Sequence, residues 1–487
     1  MAAGVALAGA LAACYYARAG LTLAHYDARA HLVVARRILD SLTPGWQQIG
    51  AVWLPLPHLV NMVPVQVEAW YRTGFSAAAF SVLSMALAAG SLASLIARLT
   101  GSTVAAATGG VLLLVNPNVL YLQGTPMTEP MLFGLSLFSV AAVAAYVDAV
   151  SGGDSARDAS RQAALAGLGL AAACLTRYEA WPITAALLVL ATLVLLRRGG
   201  TLRDVAGGLA PIALWPALAV LVFSTNSRWV VGGWFVSGDF FNPDNTEALG
   251  RPLVALDQLR VGLLQLAGNA LSWAGLAGSA VLVWTAIRSR ERASLVLVVA
   301  LFAAAAIPLV AYVQGHPFRI RYDLPLVIAC AATAATALAT LARVLQLPLA
   351  LALILLTAWQ VSPLDPTAPL IVESQREAGN MAGRRAITAH LQAHYDGETI
   401  MMSMGSLGHY MHDLSLAGFG IKSFLHEGNG EIWRFAMLQP RGHAGWLIIE
   451  GDAEGGDALH HAAQRGDWLD GFTLVAEGGG ARLYRAR

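Results

Sequence analysis

Apolar residues run almost unbroken for about 20 positions at a time along the first three quarters of the chain. Runs of that length match the thickness of a bilayer when wound as helix. They lie near 2–23, 76–97, 103–118, 130–149, 162–176, 181–196, 206–224, 261–287, 293–314, 323–342 and 345–361. The pattern therefore predicts a polytopic α-helical membrane protein with about eleven spans. After about residue 370 the runs stop and shorter periods take over. Residues 374–395 read as a helix, and TIMMSM (399–404), GWLIIE (445–450) and FTLVAE (472–477) read as strands. Helical stretches fall near 406–413, 431–438 and 456–465, and GGGARLYRA closes a hairpin. That order predicts a small soluble α/β domain. The expected division is thus 1–365 for the membrane part and 370–487 for the tail.

One polar stretch interrupts the greasy part early. Residues 25–75 form a long first loop, and DARAHLVVARRILDSL within it has helical periodicity. Leu32, Val33, Ala35, Ile38 and Leu39 supply an apolar side, and Arg29, Arg36, Arg37 and Asp40 a polar one. This predicts an amphipathic helix lying along the membrane surface. AVWLPLPHL (51–59) follows, with prolines that stop any helix.

Composition agrees with burial in lipid: 56% of the 487 residues are hydrophobic and 13% are charged, against about 25% charged in soluble domains. The net charge of +1 leaves no electrostatic footprint for nucleic acid. Cys14, Cys174 and Cys330 all lie in apolar runs and read as small hydrophobes. LAAC (11–14) is like a lipoprotein cleavage site, but nothing before Arg18 is charged, so the first run reads as a retained span.

Charge also orients the spans. Arg98, Arg157 and Arg161, Arg197, Arg198 and Arg203, Arg288, Arg290 and Arg292, and Arg343 all follow even-numbered runs. Arginine-rich short loops mark the cytoplasmic side. The N-terminus is then expected in the cytoplasm and the tail outside, in a bacterial inner membrane. This parity gathers HYDARAH (25–31), TPMTEP (125–130), TRYEAW (176–181), the loop 225–257 and GHPFRIRYD (315–323) on the outer face.

These outer clusters carry the candidate chemistry. Asp27 reads either as a helix cap or as a general base whose pKa partial desolvation would raise. Glu129, at the mouth of the fourth run, is either a first-turn carboxylate favoured by the helix dipole or a second acid at the interface. Arg177, beside Tyr178 and Glu179, and Arg319 and Arg321, beside Tyr322, have the forked geometry that grips phosphate. Arginines at span ends also snorkel to headgroups without specificity. His25, His31 and His58 share the first loop with Asp27, and Asp27 and His31 are one helical turn apart. They read as structural groups or as ligands of a metal. Trp229, Trp234, Phe235, Phe240 and Phe241 read as an interfacial belt, a sugar-stacking surface or a lid. In the tail, His409, His412, His426 and Glu427 read as satisfied loop groups or as a metal site.

An acid just after the first span, a surface helix in a long first loop, WLPLPHL, TPMTEP and RIRYDLPL together resemble the C-type (GT-C) membrane glycosyltransferases. The likeness covers roughly residues 20–330 and is nearest to the bacterial protein O-mannosyltransferase and aminoarabinose transferase group. It implies transfer of a sugar from a polyprenyl-phosphate donor, with inversion, to an acceptor lipid, glycan or protein on the outer face. It also implies Asp27 as base, Glu129 as second-loop acid, and Arg319 or Arg321 with Arg177 facing the donor phosphate. Some relatives carry two adjacent acids in loop one and use a divalent cation. Here Ala28 follows Asp27, so use of a divalent cation stays open. The rival readings are a transporter or flippase of lipid-linked sugars, which calls for charged groups at mid-membrane, and a ligase or polymerase of whole glycans.

Overall fold

A computed structural model describes residues 1–152, 155–234, 244–451, 453 and 456–487. Each of the eleven apolar runs coincides with a helix in it. Eight are long and apolar enough to cross a membrane: Phe75–Thr100, Glu129–Gly152, Ala180–Arg197, Leu202–Val230, Pro252–Arg288, Ala293–Val313, Ile320–Leu338 and Arg343–Gln360. Ala2–Arg18 and Thr103–Val115 are apolar but shorter. Ala156–Cys174 carries charge in its first two turns through Arg157, Asp158 and Arg161. The protein is a polytopic α-helical membrane protein with a small C-terminal sheet.

Packing divides the chain into two compact units, along a different line from the one hydropathy draws. The first holds 1–19, 78–223 and 245–372, and so nearly all the apolar helices. Small residues let helices meet closely there. A Cβ on Gly275 would collide with the Cys330 backbone, so Pro252–Arg288 and Leu324–Leu338 touch backbone to backbone at that point. Gly268, at φ 72°, breaks the longer of these helices. Only glycine holds that conformation cheaply, and Gln360 Oε1 accepts the exposed Ala270 N–H there at 2.7 Å.

The second unit joins 20–77 and 224–244 to 373–487. Its sheet has the order β2-β1-β3-β5-β4, with β1 Ile400–Met402, β2 Phe424–Leu425, β3 Trp446–Glu450, β4 Phe472–Gly478 and β5 Ala481–Ala486. β1 runs parallel to β2 and β3, while β5 runs antiparallel to β3 and β4. Fully buried β1 and β3 carry the apolar runs expected of covered parallel strands. The two-residue β2 has no signal of its own in the sequence and was not expected.

The first-loop helix, Tyr26–Arg37, belongs to this unit. Ala28–Ala35 are buried without a break, Arg29 and His31 included. Leu32, Val33 and Ala35 share one core with Leu407, Tyr410, Met411 and Leu414 of the tail helix Met404–Leu416. An amphipathic pattern states that one face is covered, but protein and lipid are equally apolar covers. The polar side is covered too, because the tail supplies partners for its charges.

Candidate functional site

Two groups of expected site residues are found, one in each unit. In the membrane unit, Glu129 opens its helix fully buried, and Arg177 reaches it from the turn after Cys174. Arg177 Nη1 lies 3.0 Å from Glu129 Oε1 and donates to Thr128 Oγ1 at 3.0 Å. Its Nη2 donates to Glu179 Oε1 at 2.8 Å. Burial opposes the Arg177 charge, but Glu129 and Glu179 overcome this and hold its pKa above the ordinary value. Tyr178 is pushed up as well, by burial first and then by Glu179. So Arg177 is engaged by two carboxylates and a hydroxyl.

Arg321 stands close enough to Arg177 for the two charges to oppose each other. It is buried in a short 3-10 turn, Ile320–Asp323. Its guanidinium lies 5.0 Å from the Tyr322 ring centre, and Nη2 is 3.5 Å from Tyr322 Oη. Arg319 precedes that turn, with its carbonyl accepting from Tyr312 Oη at 3.0 Å. His316 stacks obliquely near Tyr322, and burial lowers its pKa.

In the second unit, His25 rather than Asp27 caps the first-loop helix: its Nδ1 accepts from the Asp27 N–H at 3.1 Å. The hydrogen then sits on Nε2, which faces Glu373 Oε1 at 3.8 Å. Asp27 occupies the first turn, 6% exposed, where the helix dipole favours a carboxylate. One turn on, His31 Nδ1 lies 3.0 Å from His58 Nε2. His58 Nδ1 is 3.1 Å from the Leu54 carbonyl, which can only accept. That order places the His58 hydrogen on Nδ1 and the His31 hydrogen on its own Nδ1. Trp53 stacks on both rings. Burial, then the Arg37 charge, drive the His58 pKa down to about 3.

The tail histidines have their own partners. His409 Nε2 meets Arg384 Nη1 at 2.6 Å, His412 Nε2 meets the Tyr71 carbonyl at 3.1 Å, and His426 Nδ1 accepts the Gly428 N–H at 3.1 Å. Among the described residues no three His, Cys, Asp or Glu side chains are grouped to hold a metal ion. Trp229 and Trp234 are exposed, while Phe235, Phe240 and Phe241 lie outside the described residues.

The structure adds Glu373, Arg29, Asp413 and Asp323 to these groups. Asp323 is fully buried beside Arg321 and Tyr322, and a Cβ at Gly262 would collide with its carboxylate. The only sequence signal for Asp413 and Glu373 was a charged residue following an apolar or histidine-rich stretch, which points to no partner.

No family model and no curated protein matches the sequence. Solved structures do. The chain is similar to ArnT, an aminoarabinose transferase from Cupriavidus metallidurans, in a crystal structure bound to undecaprenyl phosphate: TM-score 0.61 at 15% identity, over 99% of this chain and 98% of that one. The apo form of that protein gives 0.62 at 16% over the same shares. The apo oligosaccharyltransferase of Archaeoglobus fulgidus gives 0.53 at 12%, over 100% of this chain and 74% of that one. The chain therefore shares the fold of these proteins, the GT-C fold that the resemblance implied. The likeness extends to the tail, which the motifs did not reach.

Proposed function

We propose that this protein is an integral-membrane glycosyltransferase that moves a sugar from a polyprenyl-phosphate donor to an acceptor on the outer face of the membrane, with inversion. The observation that carries this is the likeness, over almost the full length of both chains, to a protein crystallised with undecaprenyl phosphate. The outward orientation of the loops and tail is part of the proposal and rests on the arginine bias of the even-numbered loops.

The chemistry needs few groups. The acceptor oxygen attacks the anomeric carbon, the bond from that carbon to the phosphate oxygen breaks, and its electron pair leaves with the lipid phosphate. Asp27 takes the acceptor's proton. Arg321, with Arg319 beside it in sequence, absorbs the charge developing on the phosphate. The donors of Arg177 are turned to Glu129, Glu179 and Thr128. In this reading Arg177 holds the two acids in place, and Glu129 supports the site through it. His25, His31, His58, Tyr178, Glu179 and Tyr322 shape the surroundings of the reacting groups. No step is routed through a divalent cation, since the position beside Asp27 is Ala28.

The test is donor use. The purified chain in lipid nanodiscs is given undecaprenyl phosphate carrying tritiated pentoses or hexoses, together with envelope lipid, glycan and protein fractions as acceptors. The proposal expects one donor to lose its label to one fraction. It fails if no donor is consumed and undecaprenyl phosphate does not bind.

A further inference from the structure

Proton abstraction by a carboxylate depends on its placement to a fraction of an ångström, and a first-turn residue is held by whatever fixes its helix. The first-loop helix is fixed from the tail. Arg29, two residues beyond Asp27 and 2% exposed, donates from Nη1 to both carboxylate oxygens of Asp413, at 3.0 and 2.7 Å. On the other side of Asp27, the Tyr26 ring meets His409 edge to face at 6.0 Å. Beside these contacts the two helices approach closely, with a Cβ at Gly408 falling 3.6 Å from Ala30 Cβ.

The gripping residues are themselves braced. Arg384 donates to His409 Nε2 and to the Gly479 carbonyl at 3.0 Å, and it pairs with Glu450 at the end of β3. Because Arg384 can only donate, His409 carries its hydrogen on Nδ1. Its neutrality is enforced by burial, then by the charges of Arg29 and Arg384, which drive its pKa to about 3. Asp27 is among the charges that act on it. His412, next to Asp413, is anchored to the Tyr71 carbonyl. The sheet, the tail helix and the first turn of the loop helix are thus linked by hydrogen bonds and a ring contact, which reach the loop helix on both sides of Asp27.

We propose that Asp413 is a positioning residue: through its two-pronged bond to Arg29 it sets the first turn that carries Asp27, which makes the tail part of the catalytic apparatus. This rests on the reading of Asp27 as the base. Asp413→Asn keeps a side-chain oxygen that can accept from Arg29, and it is compared with wild type at matched folded fraction, with thermal unfolding measured alongside. With the undecaprenyl-phosphate sugar found active above, Asp413→Asn should lower kcat on the order of 10-fold or more. The KM for the donor should stay within about twofold, since donor contacts are untouched. Arg29→Lys, which keeps the charge but cannot place its ammonium where Nη1 of the planar guanidinium lies, should follow in the same direction, and Asp413→Glu should recover part of the loss. In an Asp27→Asn background Asp413→Asn should lower the residual rate no further, because it acts through the missing group.

The outcomes separate cleanly. If Asp27→Asn is inactive while Asp413→Asn keeps the wild-type kcat, the positioning role is overturned and the base reading stands. If Asp413→Asn lowers the rate by the same factor with and without Asp27, or only in step with lost folded protein, its role is structural and the proposal is overturned. If Asp27→Asn transfers normally, both readings are overturned.

Discussion

At the scale of single residues, burial decides what each charged group can do. Glu129 is fully buried and faces one guanidinium. Removing one partner of such a pair leaves an uncompensated charge, at a cost of about 3–5 kcal/mol. Arg177→Ala is therefore expected to lower thermal stability strongly, seen as a large drop in the unfolding midpoint. Arg321→Ala, compared at matched folded fraction, is expected to bind undecaprenyl phosphate at least about tenfold more weakly, as the loss of a forked phosphate contact implies. Titration of the lipid phosphate by microscale thermophoresis separates the two. Equal donor affinity in Arg321→Ala would move the phosphate contact elsewhere.

Histidine burial gives a second expectation at this scale. The ordinary histidine pKa is 6.5, and His58 and His409 are driven to about 3 in the fold. Between those values the unfolded chain binds a proton that the folded chain refuses. Stability is therefore full above pH 6.5 and is lost as the pH falls toward 3. Each such histidine costs about 1.4 kcal/mol per pH unit in that window. Differential scanning fluorimetry from pH 7.5 to 5 should show a falling midpoint, less steep in His58→Gln. A midpoint independent of pH would contradict the buried neutral state.

At the scale of elements, the apolar runs were legible because a span needs length and hydropathy and little else. Their positions in the sequence match the helices from Ala2 to Gln360. The first-loop helix was legible as a helix and illegible as to its cover. Its period shows that a face is buried, and only the tertiary fold shows that the tail buries it. His25 took the cap expected of Asp27, since an imidazole nitrogen accepts an N–H as a carboxylate does. β2 was lost because a parallel strand of two residues leaves no period. Of the candidate site, the acids and arginines stood out as charges in apolar surroundings. Their partners, Asp413 for Arg29 and Glu179 with Glu129 for Arg177, depend on long-range contacts or a tight turn that no spacing encodes.

At the scale of the whole molecule, the chain carries the GT-C fold over its full length. The membrane unit contains the arginines proposed to face the donor phosphate, and the other unit contains Asp27, the proposed base. A chain cut before residue 373 would therefore keep the arginines proposed to contact phosphate while losing Glu373, Asp413 and the cover of the loop helix. Such a truncation is expected to bind undecaprenyl phosphate and transfer no sugar, which a paired binding and transfer assay would reveal. Transfer at the full rate would make the tail dispensable.

The most direct test of the central claim is single-turnover transfer from a labelled undecaprenyl-phosphate sugar by reconstituted wild type and Asp27→Asn, at matched folded fraction and donor occupancy. Loss of a general base is worth on the order of 10²–10⁴ in rate, so the variant should retain bound donor and transfer at about a hundredth of the wild-type rate or less. Transfer by Asp27→Asn at the wild-type rate would contradict the account.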